Sequence, residues 1–257
     1  MAIDLKLNKG VGVITLNGPP ANAYDLEMLY DLQRVLKEVR SNGDIKCAVI
    51  KSGLEKFFSA GANISTIKDS DLAEFDNFLM VAGETMAMLE ATPKIIIAAV
   101  AGHAMGGGLE LALACDIRVG SEGAYKIGLV ETKLGLNPAM GGTQRLPRII
   151  GRSRAIHMIA TAETISPERA HELGVLDFLY PENSFDTSVT DYAEKLALGP
   201  SLAQGVAKLS VNKGMESGLT EAIAIERANQ NILFKTEDAK EGVSAFVEKR
   251  NPKFSGK

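Results

Sequence analysis

The sequence contains no tryptophan, and aromatic residues fill 5% of its 257 positions. Platforms on which nucleic-acid bases stack need more aromatic surface than that. Excess positive charge is also missing: 28 Lys and Arg stand against 32 Asp and Glu, for a formal net charge of −4. Such a chain has no global attraction to nucleic acid or to an anionic membrane. Only two cysteines occur, Cys47 and Cys115, each among apolar neighbours. They cannot build a disulfide framework, and both read as small buried free thiols. The three histidines are scattered, and no Cys/His spacing resembles a metal site. The longest stretch without a formal charge, 95–109, is too short to cross a bilayer and is broken by glycines at 102 and 106–108. Asp4 and Lys6 interrupt the start of the chain, so no signal-like apolar segment opens it. The expectation is a soluble cytoplasmic protein of a reducing compartment, with neither nucleic acid nor membrane as a partner.

Hydrophobic residues make up 46% and charged residues 23%, the proportions of a globular chain with a real core. Ile3, Leu5 and Leu7 alternate with polar residues, and 8–10 reads as a turn into a second strand at 11–16. Positions 25–40 carry apolar residues at helical spacing, closed by Asn42-Gly43. A short strand is expected at 47–50, a Gly- and Ser-containing loop at 51–64, and a helix at 71–91 stopped by Pro93. The run IIIAAV at 95–100 is apolar throughout and predicts a strand buried on both faces. A loop at 101–108 leads into a buried helix, LELALA, followed by a strand at 117–119. Helices are expected at 141–150 and 153–162, then a helix start with Ser166 as cap and Pro167 at its first position, then a strand at 175–180. The segment 184–249 is helical in character, broken at 199–200 and 214–218. Strand–helix alternation up to about residue 180 gives an α/β fold with a largely parallel sheet. We divide the chain into a core, 1–183, and a C-terminal helical region, 184–257, that packs on the core or on a second subunit.

Two small-residue segments each follow a buried strand, FFSAGANI (57–64) and AGHAMGGG (101–108). In open α/β sheets the ligand crevice lies beyond the carboxyl ends of strands. Gly106, Gly107 and Gly108 remove side chains where backbone approaches closely, and they open a helix whose first N–H groups lack partners. Two such loops can aim one N–H each at a single oxygen, an oxyanion hole. The same glycines also suit tight packing alone. GHAMGGG is not the G-x-G-x-x-G of dinucleotide binding. Glu110 stands inside an otherwise apolar helix, and Glu131 inside another apolar stretch. Such carboxyls have raised pKa values and suit general acid–base work, or else they satisfy their own helix.

The segments PPANAYDLEML (19–29), FFSAGANI (57–64), AGHAMGGGLELALACDIR (101–118), GLVETKLGLNPAMGGTQRLPRIIG (128–151) and EGVSAFVEKRNPKF (241–254) together resemble the enoyl-CoA hydratase/isomerase (crotonase) family, in its order and over nearly the whole chain. The resemblance implies a β-β-α spiral core, trimers usually paired into hexamers, and an acyl-CoA thioester substrate with no separate cofactor. It implies oxyanion N–H groups at Ala60 and Gly107, and catalytic glutamates at Glu110 and Glu131. Ala21, Ala23, Gly61, Ala62, Asn63, Ile64 and Gly106 are expected around the bound acyl-CoA. Having both glutamates favours a hydratase that adds water to a trans-2-enoyl-CoA, Glu110 activating the water and Glu131 donating the proton. The alternatives are an isomerase or dehydratase acting on a cyclic or branched acyl-CoA, and a non-catalytic acyl-CoA-binding scaffold. The sequence departs from the commonest pattern in one extra residue between the glutamates, in Val130 where Pro is usual, in Asn63 where Asp is usual, and in His103. His103 reads as a satisfied loop residue. Lys56 and Lys68 flank the first loop as solvated lysines or as point charges for CoA phosphates, and Lys249, Arg250 and Lys253 read as a solvated tail.

Overall fold

A computed structural model describes residues 2–257. The chain opens with an antiparallel hairpin, β1 (Ile3–Asn8) and β2 (Val11–Leu16), in register from Ile3 opposite Leu16 to Asn8 opposite Val11. A short strand β3 (Ala23–Tyr24) leads to α1 (Leu26–Ser41), whose cap Asp25 accepts from the Met28 amide. Next come β4 (Cys47–Ser52), β5 (Phe57–Ser59), β6 (Gly61–Ala62), α2 (Ile64–Asp69) and α3 (Leu72–Ala91). Asp71 and Glu74 form a reciprocal capping box at the start of α3. Then follow β7 (Ile95–Val100), β8 (His103–Met105), α4 (Gly107–Ala114), β9 (Ile117–Ser121), β10 (Ile127–Gly128), a 3-10 turn (Glu131–Leu134), α5 (Gly142–Ile150) and α6 (Arg152–Thr161). The chain finishes with α7 (Pro167–Glu172), β11 (Phe178–Tyr180), α8 (Phe185–Ala197), α9 (Ser201–Glu216), α10 (Leu219–Leu233) and α11 (Glu237–Glu248).

Six strands form the main sheet in the order β1-β2-β4-β7-β9-β11, parallel from β2 onward. After β4, β7 and β9 the chain adds a short strand to a second parallel sheet, β10-β8-β5, before turning into the next helical segment. This repeated strand–strand–helix turn is the β-β-α spiral. Alternation along the buried strands divides the core between the two faces of the main sheet. Ile50, Ile96 and Ala98 face the large cluster built with α1, α3 and α4. Val49, Ile97 and Ala99 face the other way, where Phe185, Val189 and Ala193 of α8 cover them. Helix α8 is thus a layer of the core sheet. Helix α9 is tethered too, because buried Lys208 pairs with Asp116 at 2.8 Å and donates to the Leu89 carbonyl at 2.7 Å. Helix α10 buries none of its residues.

Three short strands lie where loops were expected, β5 and β6 within 51–64 and β8 within 101–108. Phe57 and Phe58 favour a strand, but the Gly and Ala residues of β6 and β8 carry little strand propensity; pairing with neighbours across the spiral decides their conformation. The strand expected over 175–180 is confined to its last three residues. A helix break at 234–236 escaped the periodicity reading, although Thr236 caps α11 by accepting from the Ala239 amide.

Candidate active site

Buried Asn22 fixes the first loop. Its Oδ1 accepts from the Gly18 amide at 2.8 Å, and its Nδ2 donates to Ser52 Oγ and to the Phe58 carbonyl, each at 2.9 Å. Ser59 Oγ donates to the Asn22 carbonyl at 2.7 Å and accepts from the Gly61 amide at 3.1 Å. Two more backbone bonds complete the stitching, from the Ala60 amide to the Ala21 carbonyl at 2.9 Å and from the Asn63 amide to the Tyr24 carbonyl at 2.8 Å. The first of these corrects one expectation. The Ala60 N–H is already spent on Ala21, so Ala60 does not supply a free oxyanion donor. Amides alternate in direction along a strand. With Asn63 donating toward β3, alternation turns the Ala62 N–H to the other edge of β6, away from β3, and α4 packs against β6.

The second loop meets the first at glycine. Gly61 has φ +84°, and a Cβ there would fall 2.6 Å from the Gly107 nitrogen. A Cβ on Gly108 would run into the Ser59 carbonyl. Gly106, at φ +51°, donates to the Gly128 carbonyl at 2.9 Å, and its own carbonyl accepts from the Leu109 and Glu110 amides. Helix α4 therefore starts with the Gly107 and Gly108 N–H groups lacking an intrahelical acceptor, at the positive end of its dipole.

Glu110 lies one turn into α4 and is 1% exposed. Its Oε1 accepts from the Met140 amide at 2.8 Å and from the Gly142 amide at 2.7 Å. Burial pushes its pKa up, while the two amides and the nearby Arg145 charge pull the other way. Glu131, partly buried, opens the 3-10 turn beside Gly106, where a Cβ would meet its Oε1 at 2.8 Å. Its Oε2 is buried with no hydrogen-bond partner among the described residues. Burial raises the Glu131 carboxyl to about 7, with the Glu110 charge adding to the rise against backbone hydrogen bonding. The fold thus brings both predicted glutamates within electrostatic reach of each other, beside the Gly61–Gly107 contact. Burial and mutual repulsion let them carry different protonation states at neutral pH.

Ala23 pairs with Gly61 between β3 and β6, and Asn63 caps α2 by accepting from the Ser65 amide at 3.1 Å. Ile64 opens α2 and is half exposed. A cavity of about 360 Å³ adjoins this side of the site, lined by Tyr24, Leu26, Asn63, Ile67, Phe75 and Phe78 among others. His103 is not brought to the carboxyls. It begins β8 at the end remote from Gly106, its Nδ1 accepts from the Lys126 amide at 3.0 Å, and its ring tilts against Phe57. Lys56 sits over the Phe57 ring at 5.7 Å, and Lys68 is exposed on α2. Arg250 is held by both oxygens of Glu241, at 2.6 and 2.8 Å, rather than lying free in a tail. Among the described residues no group of three or more His, Cys, Asp and Glu could hold a metal, and no helix is long and apolar enough to cross a membrane.

The family model described as enoyl-CoA hydratase/isomerase matches residues 6–257. The chain belongs to that family. It is 34% identical over 241 residues to the short-chain-enoyl-CoA hydratase of Clostridium acetobutylicum, covering 93% of this chain and 92% of that one. It is 37% identical over 246 residues to the 2,3-dehydroadipyl-CoA hydratase of Escherichia coli, covering 95% of each. The crystal structure of an enoyl-CoA hydratase from Bacillus anthracis matches at a TM-score of 0.95, with 34% identity and 100% of both chains covered. The spiral described above is thus the crotonase fold.

The sequence reading missed the groups that hold Glu110. Met140 and Gly142 act through backbone amides some 30 residues along the chain from it, and Arg145 lies just beyond them. The paired glycines of GGTQR were the one available signal, since a doubled glycine before a helix marks close backbone approach.

Proposed function

We propose that the protein is an enoyl-CoA hydratase that adds water reversibly across the double bond of a trans-2-enoyl-CoA. The observation that carries this reading is a pair of carboxyls, buried Glu110 and partly buried Glu131, on separate elements beside an unpaired helix-start amide. Glu110, held by two amides, is the base that takes a proton from water as the water oxygen bonds to the β-carbon. Glu131, with its pKa near 7, is the acid that gives its proton to the α-carbon. The π electrons move toward the thioester carbonyl, and the enolate oxygen takes the developing charge. The Gly107 N–H and, in place of Ala60, the Ala62 N–H hold that oxygen. One such donor is worth ~3–4 kcal/mol in the transition state, so the pair is the largest single contribution. After release, a proton passes from Glu110 back to Glu131 through solvent. The chemistry asks for no cofactor beyond the CoA of the substrate.

The cavity between β3, α2 and α3 takes the acyl tail, and Gly61, Ala62 and Asn63 lie where the tail meets the thioester. The exposed apolar residues of the last two helices, Phe234, Val243, Phe246 and Val247, are covered in a homotrimer or a pair of trimers. Incubation with crotonyl-CoA tests the reading: the conjugated thioester absorbance falls to an equilibrium level at a rate proportional to enzyme. An unchanged absorbance at micromolar enzyme overturns it.

A further inference from the structure

Glu90 and Arg145 have no part in the chemistry above, yet they are joined to it. Glu90 lies near the end of α3 and Arg145 in the first turns of α5. Arg145 donates through Nε and Nη2 to the two carboxylate oxygens of Glu90, at 2.7 and 2.8 Å. Its Nη1 donates to the Met140 carbonyl at 2.8 Å. Met140 is the residue whose amide holds Glu110. Between Met140 and Gly142 the chain turns through Gly141 at φ +105°, and a Cβ on Gly141 would collide with the Arg145 guanidinium. The guanidinium thus grips one side of a three-residue turn whose two outer amides grip the Glu110 carboxylate on the other.

We infer that Arg145, anchored by Glu90, is a positioning residue that locks the 140–142 turn so that both amides point at the base Glu110. The inference rests on the proposed role of Glu110. A forked pair of parallel hydrogen bonds fixes direction as well as distance, which a lysine ammonium cannot reproduce. The charge acts in the same sense as the geometry, since Arg145 favours ionised Glu110 against burial. The other charged or titratable groups facing Glu110 are Glu131 from the 3-10 turn and the buried Tyr24 from β3, with Glu90 standing behind Arg145.

The test measures kcat and KM for crotonyl-CoA across pH in wild type, Arg145→Gln, Arg145→Lys, Glu90→Gln and Glu110→Gln. Displacing a base by about an ångström costs up to ~100-fold, so Arg145→Gln lowers kcat by 10-fold or more, with KM changed less than about three-fold. The acid limb of its kcat profile moves to higher pH, because Glu110 loses a neighbouring cation. Arg145→Lys keeps the acid limb near its wild-type position but recovers only part of kcat. Glu90→Gln, whose guanidinium stays charged but loses its anchor, lowers kcat by at least about three-fold at unchanged KM. A folded Arg145→Gln with wild-type kcat and an unmoved acid limb overturns the inference. If Arg145→Gln does not fold, wild-type kcat in Glu90→Gln overturns it instead. Loss of hydration in Glu110→Gln alongside such a result leaves the base assignment standing and removes only the clamp. Full activity in Glu110→Gln removes the base itself.

Discussion

Gly61 and Gly107 touch: a Cβ on Gly61 would lie 2.6 Å from the Gly107 nitrogen and 2.8 Å from the Met105 carbonyl. Two loops from different turns of the spiral are thereby brought backbone to backbone, next to the amide proposed to hold the thioester oxygen. Gly61→Ala places a methyl group there and also strains a residue at φ +84°. The expected result is a folded protein whose kcat falls ~100-fold or more, the cost of spoiling one oxyanion donor. Gly43→Ala, at a position with open space around the missing Cβ, keeps wild-type kcat. Equal activities for the two variants would show that the Gly61–Gly107 contact serves packing alone.

The two glutamates give separate limbs in the pH profile. Hydration needs Glu131 protonated, so kcat/KM, which reports the free enzyme, falls as pH rises through about 7. The same elevated pKa sets the sign of a stability effect. A carboxyl whose folded pKa lies above its unfolded value costs nothing while both forms are protonated, below about pH 4. The cost grows as pH rises toward 7 and is constant above it. A rise from 4.5 to about 7, discounted for the solvent screening of a partly exposed carboxyl, corresponds to a cost on the order of 1–2 kcal/mol. Glu131→Gln should therefore melt above wild type at pH 8 and level with it at pH 4, while losing most of its turnover. Thermal melts in which the difference is the same at both pH values would contradict the raised pKa.

The proposed tail cavity makes a specificity prediction. Ile67 lines it from α2 without being fully buried. Ile67→Trp fills part of the volume and lowers kcat/KM for an eight-carbon enoyl-CoA ~10-fold or more relative to crotonyl-CoA, as loss of hydrophobic complementarity in a pocket does. An unchanged ratio between the two substrates would place the tail elsewhere.

Assembly is checked by light scattering. Phe246 is 85% exposed on α11 and Phe234 74% exposed at the end of α10, too much apolar surface for an isolated chain to leave in water without purpose. A mass of roughly three or six times the 27.4 kDa chain is expected at micromolar concentration, and Phe246→Asp shifts it downward. A wild-type mass of one chain would rule out the proposed oligomer.

Much of the frame was legible before the fold was seen. IIIAAV at 95–100 announced a strand buried on both faces, and Ser166 announced a helix start that it does cap. Those signals are local, carried by side-chain periodicity and by one residue's bond to its own turn. The Glu110 and Glu131 positions were legible as carboxyls in apolar surroundings. The direction of an amide was not. Whether Ala60 or Ala62 presents a free N–H depends on how β6 pairs with β3, and Asn22 and Ser59 set that pairing from a distance. The amides on Glu110 come from a turn held by Arg145 and Glu90, a relation that exists only once α3 and α5 are packed together.

The most direct test of the hydratase reading is the mass of the product formed from crotonyl-CoA in deuterated water enriched in oxygen-18. Addition of water through the Glu110–Glu131 pair predicts a hydroxyacyl-CoA that carries one heavy oxygen at the β-carbon and one deuterium at the α-carbon. Deuterium entering the recovered enoyl-CoA with no oxygen-18-labelled hydroxyacyl-CoA formed would show proton transfer without hydration, the signature of an isomerase, and would contradict the account.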